Sequence, residues 1–165
     1  MPSSEILLLG DPRLRKRCVQ IDPSLVDGLL SRMFNTMVAE NGIGLASNQI
    51  GDPFRVFILK DGNSYKEYIN PEILSQEELV DFEGEGCLSI PGASATTKRF
   101  RRLRLTWLDR FGTKYEEEFL YTRAFAVQHE MDHLNGKLYI DQFGPVRRDM
   151  VISKHKKHLR ALERS

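Results

Sequence analysis

Residues 128–139, QHEMDHLNGKLY, constrain this chain more than any other part of the sequence. His129 and His133 are four residues apart. On a helix such residues share one face, with Cβ atoms about 5–6 Å apart, so one metal ion can bind both imidazoles. Glu130 follows the first histidine and can reach a water molecule that the ion activates. The segment therefore predicts a helix that supplies two metal ligands and a general base.

This segment does not supply a third metal ligand. A histidine at position 139 would complete the HExxHxxGxxH pattern of one group of zinc proteases, but Tyr139 stands there. The residues alone leave three candidates open: Glu163, Asp141 and Cys87. Cys87 is favoured beside an incomplete two-histidine site because its flanking glycines let the backbone turn sharply. Taken alone, a cysteine in this loop is equally compatible with packing.

The composition is that of an ordinary water-soluble domain. The chain has 165 residues, 41% hydrophobic and 28% charged, which suits one domain over residues 1–165. Its net charge is +1, and no apolar run approaches the ~20 residues of a membrane span, so we expect neither DNA nor a membrane as a partner. With two cysteines and no signal-peptide core, the chain is expected in the cytoplasm, where thiols stay reduced.

Apolar spacing and cap residues predict three helices. The first covers residues 22–41, the second carries HExxH, and the third runs to the C-terminus. The residues predicted to begin and end them are Asp22 and Gly42, Thr122 and Gly136, and the pair Gly144-Pro145.

Between the first two helices, apolar segments and short turns predict four strands. They cover residues 55–60, 65–70, 103–108 and 113–120. Because short turns join them in pairs, we expect antiparallel pairing. The order lacks βαβ alternation and predicts an α+β fold, with antiparallel sheets packed around a central helix carrying HExxH, plus a C-terminal helix.

Three motifs resemble those of peptide deformylases, in the same order and at similar separations. They are GIGLASNQ, EGCLS and QHEMDH, and the likeness extends over nearly the whole chain. The resemblance implies one divalent metal ion held by Cys87, His129 and His133. It also implies removal of the formyl group from the N-terminal formylmethionine of new polypeptides. The family favours iron(II) in the cell, while zinc, nickel or cobalt also suit cysteine and histidine ligands.

The resemblance also assigns catalytic roles. Metal-bound water attacks the formyl carbon, with Glu130 as general base and then as general acid towards the departing amine. The side-chain amide of Gln49 and the backbone N–H of Leu88 are expected to stabilise the oxyanion, at roughly 3–4 kcal/mol of barrier for each donor.

Substrate contacts follow from two parts of the sequence. Ile43 and Gly44 match family positions whose backbone pairs with the substrate main chain, as an added strand would. Phe125 and Ala126 lie on the helix face of His129, so we expect them to line a pocket for the methionine side chain, with ordinary core packing as the alternative.

Some residues depart from the family pattern, and others support the expected ligands. The departures are Ser47, Glu83 and Ser94. The residues expected to hold the ligands in place, or alternatively to form a surface ion pair, are Glu85, Arg99 and Asp132.

The C-terminal residues 145–165 are basic. They carry a net charge of +5, which leaves −4 for the remainder. Either this helix is solvated surface or it contacts ribosomal RNA phosphates.

Two other functions remain open on the residues alone: an HExxH endopeptidase with Glu163 or Asp141 as third ligand, and a non-catalytic ribosome-binding protein.

Overall fold

The computed structural model describes residues 2–165, which form a five-stranded antiparallel sheet and three α-helices. The strands pair in sequence order: β1 Gly44–Ala46, β2 Val56–Asp61, β3 Ser64–Glu85, β4 Ala95–Leu108 and β5 Lys114–Leu120. The helices are α1 Asp27–Ala39, α2 Tyr121–Leu134 and α3 Pro145–Glu163. The expected α+β class is confirmed, with these strands joined in one sheet. None of the described helices is long and apolar enough to cross a membrane.

Helices α1 and α2 pack on opposite faces of the sheet. Successive residues of a strand point to opposite faces. In β2, Phe57 and Leu59 join the core beneath α2, whereas Val56 and Ile58 join the core beneath α1. The motif helix α2 is therefore held against the sheet by a continuous apolar core, as the sequence predicts.

Helix α3 forms a third core with the loop between β3 and β4. Val151 of α3 is buried with Ile90 of that loop and with Tyr139 and Phe143, which precede the helix. Cys87 packs against the same cluster. The C-terminal helix thus contacts the segment that carries the candidate third ligand.

Two predicted helix starts are wrong. Asp22 accepts a hydrogen bond from Ser24 N (2.9 Å) and caps a 3-10 turn, Pro23–Leu25, so α1 begins only at Asp27. Thr122 does not cap α2. The extended backbone of the N-cap belongs to Leu120, and the helix begins at Tyr121 without a side-chain cap. Both predictions relied on cap-type side chains, whereas the backbone turns elsewhere.

Strands β3 and β4 extend well beyond the predicted 65–70 and 103–108. Their outer parts form a long hairpin in which opposite charges face each other. Lys98 Nζ lies 2.5 Å from Asp81 Oδ1, and Arg102 Nη1 lies 3.7 Å from Glu77 Oε2. This hairpin ends at Glu85, next to α2, and so brings the loop with Cys87 to the motif helix.

Candidate active site

The C-terminal end of α2 is held by groups from other segments. Asn48 Nδ2 donates to His133 O (2.7 Å), Cys18 N donates to Leu134 O (2.8 Å), and Arg55 Nη1 donates to the same carbonyl (3.0 Å). These bonds satisfy carbonyls that a helix end leaves without internal partners. The second histidine of the motif is therefore fixed at its backbone.

Cys87 comes from the loop that follows β3. The register of β3 against β4 shifts between Phe82 and Glu85, and Gly84 adopts φ +76°, which glycine permits. Cys87 O then accepts a hydrogen bond from Ile90 N (2.9 Å), closing a tight turn. The turn brings the thiol back towards α2.

Three ligand-type atoms meet beside α2. Cys87 Sγ lies 3.3 Å from His133 Nε2, which lies 3.2 Å from His129 Nε2. Tetrahedral bonds of about 2.0 Å to nitrogen and 2.3 Å to sulfur would separate such atoms by about 3.3–3.6 Å. The donor set therefore fits one divalent ion. Within residues 2–165, no second cluster of His, Cys, Asp and Glu side chains is arranged to hold a metal.

The other two candidates for the third ligand lie outside this cluster. Asp141 Oδ2 pairs with Arg15 Nη1 (2.6 Å) and accepts from Leu138 N (3.0 Å). Glu163 is exposed at the end of α3. Tyr139 is buried, and its ring packs edge-on to a neighbouring phenylalanine.

A buried carboxylate orients the first histidine. His129 Nδ1 donates to Glu85 Oε2 (2.6 Å), which leaves Nε2 directed at the cluster. Glu85 also accepts from Arg99 Nη2 (2.5 Å) and Thr97 Oγ1 (2.6 Å), and Arg99 Nη1 reaches Asp132 Oδ2 (2.7 Å). The expected grouping of Glu85, Arg99 and Asp132 is therefore present. Its central Glu85–Arg99 pair is buried and is not a surface ion pair.

These contacts set the charge states in the absence of metal. Burial alone would raise the pKa of Glu85, but hydrogen bonds from His129 and Arg99 outweigh it and lower that pKa to about 2. Burial opposes the charged form of His129 as well, yet Cys87 and Glu85 raise its pKa well above the ordinary value. The pKa of His133 falls well below its ordinary value because the ring is buried beside His129.

Glu130 lies at the edge of the cluster. Its Oε1 is 3.9 Å from His129 Nε2, and its Oε2 is buried with no hydrogen-bond partner among the described residues. Burial raises the pKa of Glu130 to about 7, against an ordinary value of 4.5. A Cβ at Gly44 would lie 3.2 Å from Glu130 Oε1, so glycine there leaves space for the carboxylate. Glu130 thus has a free oxygen and a pKa suited to both taking up and releasing a proton near neutral pH.

The side chain of Gln49 is fixed beside the cysteine. Its Oε1 accepts from Ala46 N (3.0 Å), and its Nε2 lies 3.1 Å from Ser89 Oγ and 3.7 Å from Cys87 Sγ. Because the amide oxygen is engaged by backbone, the N–H groups face the cluster. Leu88, the next residue after the cysteine, lines the cleft that opens over the cluster.

A cleft of about 470 Å³ opens over the cluster. Its lining includes all four residues predicted to contact substrate: Ile43, Gly44, Phe125 and Ala126. Sequence reasoning missed Phe82, which also lines the cleft and stacks on Phe125 with ring centroids 4.8 Å apart. Charged residues surround Phe82 in β3, so no apolar alternation marks it in the sequence.

The polypeptide deformylase family model matches residues 3–149 of this chain. The chain belongs to the polypeptide deformylase family. A peptide deformylase of Wolinella succinogenes is 40% identical over 166 residues, covering 94% of this chain and 97% of that protein. The crystal structure of a peptide deformylase from Legionella pneumophila is 37% identical, with a TM-score of 0.93 and 99% of both chains covered. Another, from Synechococcus elongatus in complex with actinonin, is 28% identical, with a TM-score of 0.88, covering 94% of this chain and 87% of that one.

Family membership makes the chain an enzyme, a hydrolase, and deformylation of nascent chains is the general function of deformylases.

The departures of this chain from the deformylase motifs lie away from the ligand-type atoms. Ser47 is buried, and its hydroxyl donates to Phe54 O. Glu83 and Ser94 are exposed and do not line the cleft.

Proposed function

We propose that this deformylase removes the N-formyl group from formylmethionine at the start of new polypeptides, with Cys87, His129 and His133 as ligands of one divalent metal ion. The observation that carries the proposal is the meeting of these three side chains under the cleft, beside the partnerless oxygen of Glu130. A bound divalent ion would act as a Lewis acid and would lower the pKa of a bound water molecule to near neutral. The remaining steps belong to the residues of the chain.

Glu130 moves the proton. As general base it takes a proton from the attacking water, and as general acid it passes that proton to the amine of methionine, so the carboxyl returns to its starting state. Its buried position at the edge of the cluster and its partnerless oxygen support both roles. A proton-transfer group of this kind contributes roughly 10²–10⁴-fold in rate.

Gln49 and Leu88 stabilise the oxyanion. The formyl carbonyl becomes negatively charged as water adds, and donors already in place lower the barrier without reorganising. Gln49 Nε2 is held next to Cys87 by the bond from Ala46 N to its Oε1. Leu88 is the next residue after Cys87, so its backbone N–H lies beside the residue that carries the thiol.

The substrate backbone adds to the sheet at β1. This strand is at the edge of the sheet, and Ile43 O accepts from Lys60 N of β2 (2.9 Å). Because alternate residues of an antiparallel strand direct their backbone groups to opposite sides, those of Gly44 face the outer edge. An extended peptide can bind there while the Ile43 side chain, 73% exposed, lies along it.

The methionine side chain occupies the apolar part of the cleft. Phe125 and Ala126 form its wall on α2, and Phe82 covers Phe125 from β3. An unbranched, polarisable thioether packs well against aromatic rings. We therefore expect this pocket to prefer methionine over short or polar side chains.

The metal in the cell is proposed to be iron(II), and the enzyme is placed in the cytoplasm, where formylated chains are made. Zinc, nickel and cobalt also suit the two imidazoles and the thiolate.

The basic face of α3 is proposed to contact ribosomal RNA. Replacing Lys156, Lys157 and Arg160 with glutamate should abolish co-sedimentation with ribosomes at physiological salt, and unchanged co-sedimentation would contradict the contact.

The proposed function is tested with anaerobically purified protein and a formyl-Met peptide. The wild type should release formate and contain one metal ion per chain. Glu130→Gln should retain the metal but lose at least about 10²-fold in kcat, whereas Cys87→Ser should lose the metal. Asp141→Asn is the control and should keep both. Cleavage of internal peptide bonds without formate release would contradict the proposal.

A further inference from the structure

The loop that carries Cys87 is anchored at two ends. At the first end, Ser89 O accepts from Leu9 N (2.9 Å), and Ser89 Oγ lies 3.1 Å from Gln49 Nε2. These contacts tie the first residues of the loop to the N-terminal segment and to the segment after β1. They do not reach the second half of the loop, residues 91–94.

The second end is anchored by α3. The buried His155, 3% exposed, donates from Nδ1 to Pro91 O (2.9 Å). Next to it, Gly92 adopts φ +84°, and a Cβ there would lie 2.2 Å from His158 Cβ. Backbone and helix therefore approach too closely for any other residue at position 92. Both histidines lie beyond residue 149, where the family match ends.

The two kinds of ligand depend on different supports. His129 and His133 belong to α2, whose internal hydrogen bonds hold them in register. Cys87 belongs to an irregular loop, which opens more readily than a helix unless other contacts hold it. A buried imidazole costs free energy unless its hydrogen bond is made. If position 155 served packing alone, we would expect an apolar residue there.

We propose that His155 is a positioning residue for Cys87, and that His158 packing on Gly92 completes the same anchor. The bond to Pro91 O fixes the residue that follows the Cys87–Ile90 turn, and so keeps the thiol opposite the two imidazoles. This inference rests on the proposed function, in which Cys87 is a metal ligand. The helix α3 thus contributes to the metal site without touching it.

The first test uses metal-free protein and a soluble thiol reagent. His155→Leu fills the volume but cannot donate, whereas His155→Asn keeps an N–H donor near the position of Nδ1. Cys87 in His155→Leu should react roughly tenfold faster than in the wild type, as expected for loss of one buried hydrogen bond. His155→Asn should restore most of the protection, and Lys157→Ala, an exposed change on the same helix, should have no effect.

The buried Cys18 serves as an internal reference in the same protein. It is 3% exposed, and burial raises its pKa to about 11, so it reacts only when the fold opens. Faster reaction of Cys87 with Cys18 unchanged supports the proposal. If both thiols react faster together, His155 stabilises the whole fold and the proposal is wrong. Unchanged reactivity of Cys87 in His155→Leu also overturns it.

Cobalt(II) binding separates this inference from the proposed function. Wild-type protein should show sulfur-to-cobalt charge-transfer absorption, which Cys87→Ser lacks. In His155→Leu we expect that absorption to appear only at roughly tenfold higher cobalt concentration, and His155→Asn should restore the wild-type titration. If the wild type lacks the band, the proposed ligand set fails, while thiol labelling still reports on the anchor. An unchanged cobalt titration in His155→Leu would overturn the inference alone.

Discussion

Strand β4 carries arginines in two different settings. The side chain of Arg99 is 4% exposed and lies between Glu85, which also contacts His129 of the candidate metal site, and Asp132. Arg102 and Arg104 are 42% and 43% exposed and pair with glutamates of the neighbouring strands at 3.3–3.8 Å. The same chemical pair therefore occurs once in the interior and several times on the surface of one strand.

Burial changes what such a pair does. An exposed pair gains little, because water and salt screen it and two long side chains lose freedom. A buried pair is expensive to form, but removing one partner leaves an unpaired charge in the interior. We therefore expect the interior network to control the stability and the metal site, and the surface pairs to control neither.

The largest effect is expected when the centre of the interior network is removed. Arg99→Gln leaves Glu85 without its cationic partner and should cost about 3–5 kcal/mol in the free energy of unfolding. Urea unfolding of the metal-free protein measures this loss. Arg104→Gln, on the same strand, is the matched control. A loss below about 1 kcal/mol for Arg99→Gln would show that burial does not separate the two settings.

A slightly smaller effect should appear as a pH dependence. The pKa of Glu85 is lowered to about 2 in the folded protein. A lowered pKa contributes stability that is fully present above the unfolded pKa and is lost as pH falls through the folded pKa. The stability advantage of wild-type protein over Glu85→Gln should therefore be complete above about pH 5 and shrink, by up to about 3 kcal/mol, towards pH 2.

Acid unfolding of the two proteins without metal measures this difference at each pH. Glu116→Gln, which removes one of the exposed partners of Arg104, should follow the wild-type curve. An advantage over Glu85→Gln that stays constant from pH 6 to pH 2 would mean that the carboxylate is not stabilised by its buried partners. With cobalt present, Glu85→Gln should also bind metal about 10–100-fold more weakly.

Asp132 is the intermediate case, because its side chain is 30% exposed although it contacts the buried Arg99. Asp132→Asn keeps an acceptor oxygen but removes the charge, and should cost about 1–2 kcal/mol. Urea unfolding would place this variant between Arg99→Gln and Arg104→Gln. A cost equal to that of Arg99→Gln would show that position in the network, and not exposure, sets the effect.

The sequence was sufficient for the parts of the fold that follow one period. Apolar spacing located α1, the HExxH spacing located α2, and HExxH with a glycine-bounded cysteine identified side chains that the structure brings together. The sequence failed to predict strands whose two faces are both polar. In the outer β3–β4 hairpin, charged residues pair across the strands, and no apolar alternation marks these strands in the sequence. Phe82 was missed for the same reason, since only the hairpin places it in the cleft.

Contacts between distant segments were also beyond the sequence. Nothing near His155 in the chain indicates that it donates to Pro91 O, because the two residues meet only when α3 packs on the loop. Asp22 and Thr122 show the opposite limitation. Both have side chains typical of helix caps, but Asp22 caps only a 3-10 turn and Thr122 lies inside α2, because a cap-type side chain does not by itself fix where an α-helix begins.

The smallest predicted effect concerns salt, and it compares the two settings most directly. Raising ionic strength from about 0.1 M to 1 M shortens the Debye length from about 10 Å to 3 Å and screens exposed pairs. The cost of Arg104→Gln, at most about 1 kcal/mol, should therefore vanish in 1 M NaCl, whereas that of Arg99→Gln should change little. Thermal unfolding of both variants and wild type at the two salt concentrations measures this. Equal salt sensitivity would mean that water reaches Arg99, and the division of β4 into interior and surface pairs would then have no energetic basis.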